Sequence, residues 1–151
     1  MAKIDYYQLG LDIQSLLRGD SSITLSDKQI LVESTSFPDP SINPFVNITI
    51  VGRDAPDNEQ TISASTRIEM LVQVRIVVAA FDAQEIRNAI ERRDDAIGDI
   101  ELVLVANPDL NVPSKVNHSW ITGGELETGA ESNFYIASGT IDLTVNMTAT
   151  T

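Results

Sequence analysis

The stretch Thr66-Arg67-Ile68-Glu69-Met70-Leu71-Val72-Gln73-Val74-Arg75-Ile76-Val77-Val78-Ala79-Ala80 decides the fold class. Ile68, Met70, Val72, Val74, Ile76 and Val78 take alternate positions, with Arg67, Glu69, Gln73 and Arg75 between them. Successive side chains of a strand point to opposite faces, so this spacing predicts a long strand with one apolar face. After Arg75 the polar side also turns apolar, through Val77 and Ala79. The second half is therefore expected to be covered on both faces, with a helix as the cover.

A helix is available directly downstream. Asp82-Ala83-Gln84-Glu85 places a carboxylate and, three positions on, a glutamate, a capping-box variant at a helix start. Ile86, Ile90, Ile97, Ile100 and Leu104 then recur at helical spacings until Asn107-Pro108 ends the run. Upstream, Val46, Ile48 and Ile50 alternate with Asn47 and Thr49, which predicts a strand over 45–51. Between the two strands, residues 52–65 hold Asp54, Pro56, Asp57, Asn58 and Glu59 with one large apolar residue, Ile62. This predicts a solvated acidic loop, longer than the usual connection of about two to six residues.

Working outward to the N-terminus, Tyr6, Leu9, Ile13, Leu16 and Leu17 line one face of a helix over 5–18, with Gly19 as a stop signal. Residues 28–33 read as a short strand, and Phe37-Pro38-Asp39-Pro40 with Asn43-Pro44 imposes extended or turning backbone. Toward the C-terminus, residues 115–122 alternate Val116, His118 and Trp120 against Asn117, Ser119 and Ile121, and Gly123-Gly124 breaks that strand. A final strand over 133–148 changes apolar parity, from Phe134 and Ile136 to Ile141, Leu143, Val145 and Met147. The expected cause is a bulge at Ser138-Gly139-Thr140. The order predicts a single α+β domain over residues 1–151, with an antiparallel or mixed sheet. An N-terminal helix and one long helix would pack on one face, and a long acidic loop would join two strands.

Composition excludes several function classes. The formal charge is −12, divided as −4 over residues 1–75 (10 acidic, 6 basic) and −8 over 76–151 (12 acidic, 4 basic). That balance opposes any role gripping nucleic-acid phosphates. There is no cysteine, hence no disulfide, thiol nucleophile or thiolate metal site. Gln73 and Arg75 interrupt the most apolar run, and the first residues lack a signal-peptide core, so no membrane partner and a cytosolic site of assembly are expected.

Motifs that carry chemistry are scarce. His118 is the one histidine, and no G-x-S-x-G elbow accompanies it. Asp94, Asp95, Asp99 and Glu101 form the densest carboxylate group; Asp95 and Asp99, one helical turn apart, have the spacing to hold a hard cation. Arg87, Arg92 and Arg93 lie beside them, which favours a solvated, ion-paired helix face. Asp54-Ala55-Pro56-Asp57-Asn58-Glu59 lacks the glycine and the twelfth-position glutamate of a calcium loop. Neither GxxxxGK[ST] nor GxGxxG is present. A non-enzymatic chain without metal or cofactor is the expectation.

In element order the chain resembles the tail terminator family of long-tailed bacteriophages. The resemblance is carried by the helix Tyr6 to Leu17, the strand-loop-strand from Phe45 to Ala80 with its tip at 52–65, the helix from Asp82 to Val105, and the closing strands over 115–122 and 133–148. It implies a virion structural subunit, assembled in the host cytoplasm into a hexameric ring that caps the tail tube and docks the head completion or neck protein. DNA would pass the bore without specific binding. Asp54, Asp57 and Glu59 are expected to face the bore or an adjacent ring, where carboxylates repel phosphate. Arg67 and Arg75 are expected to pair between subunits with Asp94 and Asp95 of the acidic helix. Another head-tail joining or tail tube subunit shares these features; a tube subunit would polymerise without end. From a different class, an acidic regulatory protein that mimics DNA needs carboxylates spaced like phosphates over one face.

Overall fold

The structure is a computed structural model that describes residues 3–35, 40–56, 67–131 and 133–150, with the side chains of residues 67 and 150 outside the description. It begins with helix α1, Tyr6–Gly19, whose first turn is capped by Asp5: the carboxylate accepts from the Gln8 amide at 3.0 Å. Leu9, Ile13, Leu16 and Leu17 are buried on one stripe, as their spacing predicts, and each contributes about 1.5–3 kcal/mol of transfer free energy. A 3-10 turn, Asp27–Gln29, leads into the three-residue strand β1, Ile30–Val32, in place of the expected strand over 28–33. Gln14 Nε2 and Arg18 Nη2 both donate to the Ile30 carbonyl at 2.8 Å, pinning α1 to β1. Gly10 allows that approach, since a Cβ there would stand 2.8 Å from Val32 Cγ1.

Strand β2, Phe45–Asp54, continues three residues beyond its predicted end and contains a bulge at Val51. Strand β3 spans Arg67–Asp82, and helix α2 spans Ile86–Ala106. Strands β4, Val116–Gly123, β5, Leu126–Glu131, and β6, Phe134–Thr150, complete the chain. The sheet has six strands in the order β1-β2-β3-β6-β4, with β5 paired to the other half of β6. Among the described residues only β1 and β2 run parallel, so the sheet is mixed, and the class is α+β as predicted.

Both helices pack on one face. Leu9, Ile13 and Leu17 of α1 and Ile100, Val103 and Leu104 of α2 share a core with Val72, Val74, Ile76 and Val78 of β3 and Ile141, Leu143 and Val145 of β6. At one end the opposite face is apolar as well. Phe45, Ala79 and Phe81 are buried there against Leu31, Ile42, Phe134 and Ile136, and the Phe81 and Phe134 rings meet edge to face at 5.4 Å. The second half of β3 is thus covered on both sides, but the second cover is this aromatic cluster and not a helix.

The same cluster overturns the bulge expected in β6. Strands β3 and β6 pair without interruption from Arg67 opposite Thr150 to Asp82 opposite Tyr135. The parity change at 137–141 reflects two cores on opposite faces: Phe134 and Ile136 serve the aromatic cluster, and Ile141 onward serves the helix-covered core. Irregularities fall instead in β4, between Val116 and His118 and between Ile121 and Gly123. Gly123, at φ 146°, and Gly124 divide β4 from β5, and a Cβ on Gly124 would lie 1.9 Å from the Thr140 carbonyl oxygen.

Candidate interaction surface

The helix-free face of the sheet is built by the second parity of the strand pattern. Its polar side chains hold one another in a transverse network. Arg75 Nε donates to Asp142 at 3.0 Å, Thr144 Oγ1 donates to Gln73 Oε1 at 2.8 Å, and Gln73 Nε2 reaches Asp54 at 3.4 Å. Asn146 Nδ2 donates to Glu69 at 3.2 Å, and Asn146 Oδ1 accepts from Asn117 Nδ2 at 2.7 Å. The hydrogen bond and charge of Asp142 raise the pKa of Arg75 further above its ordinary value. At the edge of this face His118 stacks on Trp120 with ring centroids 4.8 Å apart. His118 makes no hydrogen bond to a carboxylate among the described residues, so the strand pattern delivers an aromatic pair at this position.

Strand pairing sets the charge of this face. Asp54, Glu69, Asp142, Glu127 and Glu131 stand on it with one guanidinium of described position, that of Arg75. Of the acidic trio predicted in the hairpin loop, Asp54 is the exposed last residue of β2, while Asp57 and Glu59 lie outside the described residues.

The predicted inter-subunit residues are placed differently from one another. Arg75 already has a partner within the chain, Asp142 on the neighbouring strand. The backbone of Arg67 pairs with Thr150, and its side chain is outside the description. Asp94 accepts from Arg93 Nε at 2.9 Å, while Asp95 is exposed without an ion pair among the described residues. Asp95 and Asp99 line a groove of about 180 Å³ with Arg92, Pro44 and Ile23. Among the described residues no three metal-ligating side chains converge.

The inward face of helix α2 includes Ile100 and Leu104 of the predicted stripe, with Ile97 packed against the core, and departs from it in the first half, where Ile86 and Ile90 are only half-buried. Ala89, Arg93 and Ala96 are buried in its first half, then Ile100, Val103 and Leu104. Arg93, 6% exposed, sends Nη1 to the carbonyls of Glu127 (3.2 Å) and Ser138 (3.4 Å), tying α2 to the β5–β6 hairpin. Just before α2, the Asp82 carboxylate accepts from the Glu85 amide at 2.7 Å and the Gln84 amide at 3.0 Å. These two amides, with help from Arg92, hold its pKa below the usual carboxylate range. Asp82 thus closes the turn that leads into the helix, whereas the N-cap itself is Glu85, without a side-chain cap hydrogen bond, so the expected cap at Asp82 is displaced by three residues.

Exposed apolar groups gather where α2 passes the β4 edge. Leu102 and Val105 are 70% and 71% exposed, and they share a shallow groove with Ile121. Leu126 of β5, also exposed, stands on the same side of the sheet, whereas the exposed Trp120 stands with His118 on the helix-free side. Among the described residues β4 and β5 each pair on one side only. Sequence periodicity marked none of these residues for a role, because exposure of an apolar side chain depends on which helix face turns inward, and at α2 an arginine and two alanines do so. No family model matches the chain, and no curated protein matches it.

Proposed function

We propose that the chain is a structural subunit of a closed ring through which DNA passes, the tail terminator ring of a long-tailed bacteriophage. The observation that carries this reading is the helix-free sheet face, where five carboxylates stand with one guanidinium of described position. A wall of that sign repels phosphate and binds no sequence, which suits a bore that DNA must traverse without sticking. The side-chain network across the face holds three of these carboxylates, Asp54, Glu69 and Asp142, in place. With both helices on the other face, sheets turned inward and helices outward give a ring with a packed outer layer. A head completion or neck protein on one side and the tail tube on the other are the implied partners.

Negative-stain imaging of the purified native protein tests the reading. Closed rings of uniform diameter support it. Filaments without fixed length would assign the chain to the tail tube instead, and isolated small particles that displace DNA from a DNA-binding protein would assign it to the DNA mimics.

A further inference from the structure

Among the described residues the two edges of the sheet are open at the same level. Following the pairing across the sheet, Asp54 lies in one transverse row with Leu71, Asn146 and His118; Arg53 lies with Val72, Val145 and Ser119. Gly52 lies with Gln73, Thr144 and Trp120, and Ile50 with Val74, Leu143 and Ile121. On the β2 side, β1 covers Val46, Asn47 and Ile48, and among the described residues 51–54 have no neighbouring strand there. On the other side, β4 has no outer neighbour among the described residues. Unpaired edges of this kind are templates for another strand.

We infer that a second copy of this chain fills this edge: residues 51–54 of β2 in one copy pair antiparallel with residues 118–121 of β4 in the next. The inference rests on the ring reading above and assigns its interface. Strand direction permits it, because β2, β3, β6 and β4 alternate in direction, so a copy related by rotation about an axis along the strands presents β2 antiparallel to β4. Side chains match as well. Val51, 51% exposed at the bulge beside Ile50, comes level with Ile121 and the exposed Leu102 and Val105. Arg53, exposed beside Tyr6, comes level with Ser119, whose hydroxyl donates to the Pro108 carbonyl just past the C-terminal end of α2. That end carries the negative pole of the helix and Asp109, a favourable place for a cation. The contact is heterologous: each copy uses one edge and leaves its opposite edge for the next, and rotation closes the series.

Because the chain has no cysteine, paired cysteines report this contact directly. In the double variant Arg53→Cys with Ser119→Cys the two positions of one copy are separated by β3 and β6, about 14 Å at the usual strand spacing, beyond the reach of a disulfide. Oxidation of the native protein is expected to give a covalent series from dimer upward, ending at the ring. A mixture of the two single variants is expected to give dimers only. Asp54→Cys with His118→Cys tests the adjacent row independently of local fit. Val51→Asp is expected to raise the concentration at which the oligomer dissociates by at least about tenfold, with an unchanged circular dichroism spectrum. A native ring that neither cysteine pair crosslinks overturns this interface and leaves the ring reading standing. A protein that is monomeric by mass at every concentration and gives no crosslinks overturns both.

Discussion

Arg93 and Asp94 form an ion pair with one member inside and one outside. The Nε to Oδ1 distance is 2.9 Å, with the arginine side chain 7% and the aspartate side chain 56% exposed. Loss of the two members should therefore be unequal. Arg93→Ala removes a buried stem and the hydrogen bonds to Glu127 and Ser138, and is expected to cost about 1–3 kcal/mol. Asp94→Ala deletes a half-exposed carboxylate and leaves Arg93 its two carbonyl acceptors, and is expected to cost under about 1 kcal/mol. Urea denaturation of both variants checks the asymmetry; equal losses would mean that Arg93 contributes nothing through the hairpin.

Gly124 is expected to tolerate no side chain. A Cβ would stand 1.9 Å from the Thr140 carbonyl oxygen, which is backbone in the central partner strand and cannot move aside. Gly124→Ala should cost about 2–4 kcal/mol and loosen the β4–β5 junction, visible as faster amide exchange at Glu125 and Thr140, whose amides donate to Thr140 Oγ1 and the Glu125 carbonyl. A thermal midpoint within a degree of the wild type would show that the junction can shift without loss.

At the start of α2 the charge of Asp82 should matter only above acid pH. Its folded pKa is depressed by the Glu85 and Gln84 amides, so its contribution is complete above the ordinary value of about 3.9. That contribution is lost as pH falls through the lower folded value. The difference in melting temperature between wild type and Asp82→Ala is expected to be constant from pH 8 to pH 5 and to shrink below about pH 4. A difference that persists unchanged to pH 2 would show that the carboxylate charge is irrelevant to the turn that leads into α2.

Much of this fold was legible because its signals are periodic. The alternation from Ile68 to Val78 identified the central strand, and the stripe from Leu9 to Leu17 identified α1. Strand β5 was missed for a physical reason: all six residues of Leu126–Glu131 are exposed, so neither face is sorted by burial, and no alternation arises. In β6 the parity change was visible but its cause was not, since two cores on opposite faces and one bulge leave the same trace in a sequence. The site was less legible still. Asp54 could be placed on the acidic face by its loop, whereas Glu69, Glu127, Glu131 and Asp142 join it only through strand register. For Arg75, sequence offered an acidic helix as partner, and the nearer Asp142 was a strand away in space and 67 residues away in the chain.

Leu102 and Val105 should serve assembly and not folding. Each is about 70% exposed, so Leu102→Lys with Val105→Lys removes little buried surface from the subunit itself. Helix content and unfolding midpoint of the dissociated subunit are expected to stay near those of the wild type, while the assembled fraction at a given concentration falls. An assembled fraction equal to that of the wild type would place the contact elsewhere.

The most direct test of the ring is the light-scattering mass of the native protein across a concentration series. The account predicts one dominant species at an integer multiple of the 16.5 kDa chain, near six subunits, that gives way to monomer only on dilution. A mass of 16.5 kDa at every concentration would contradict it.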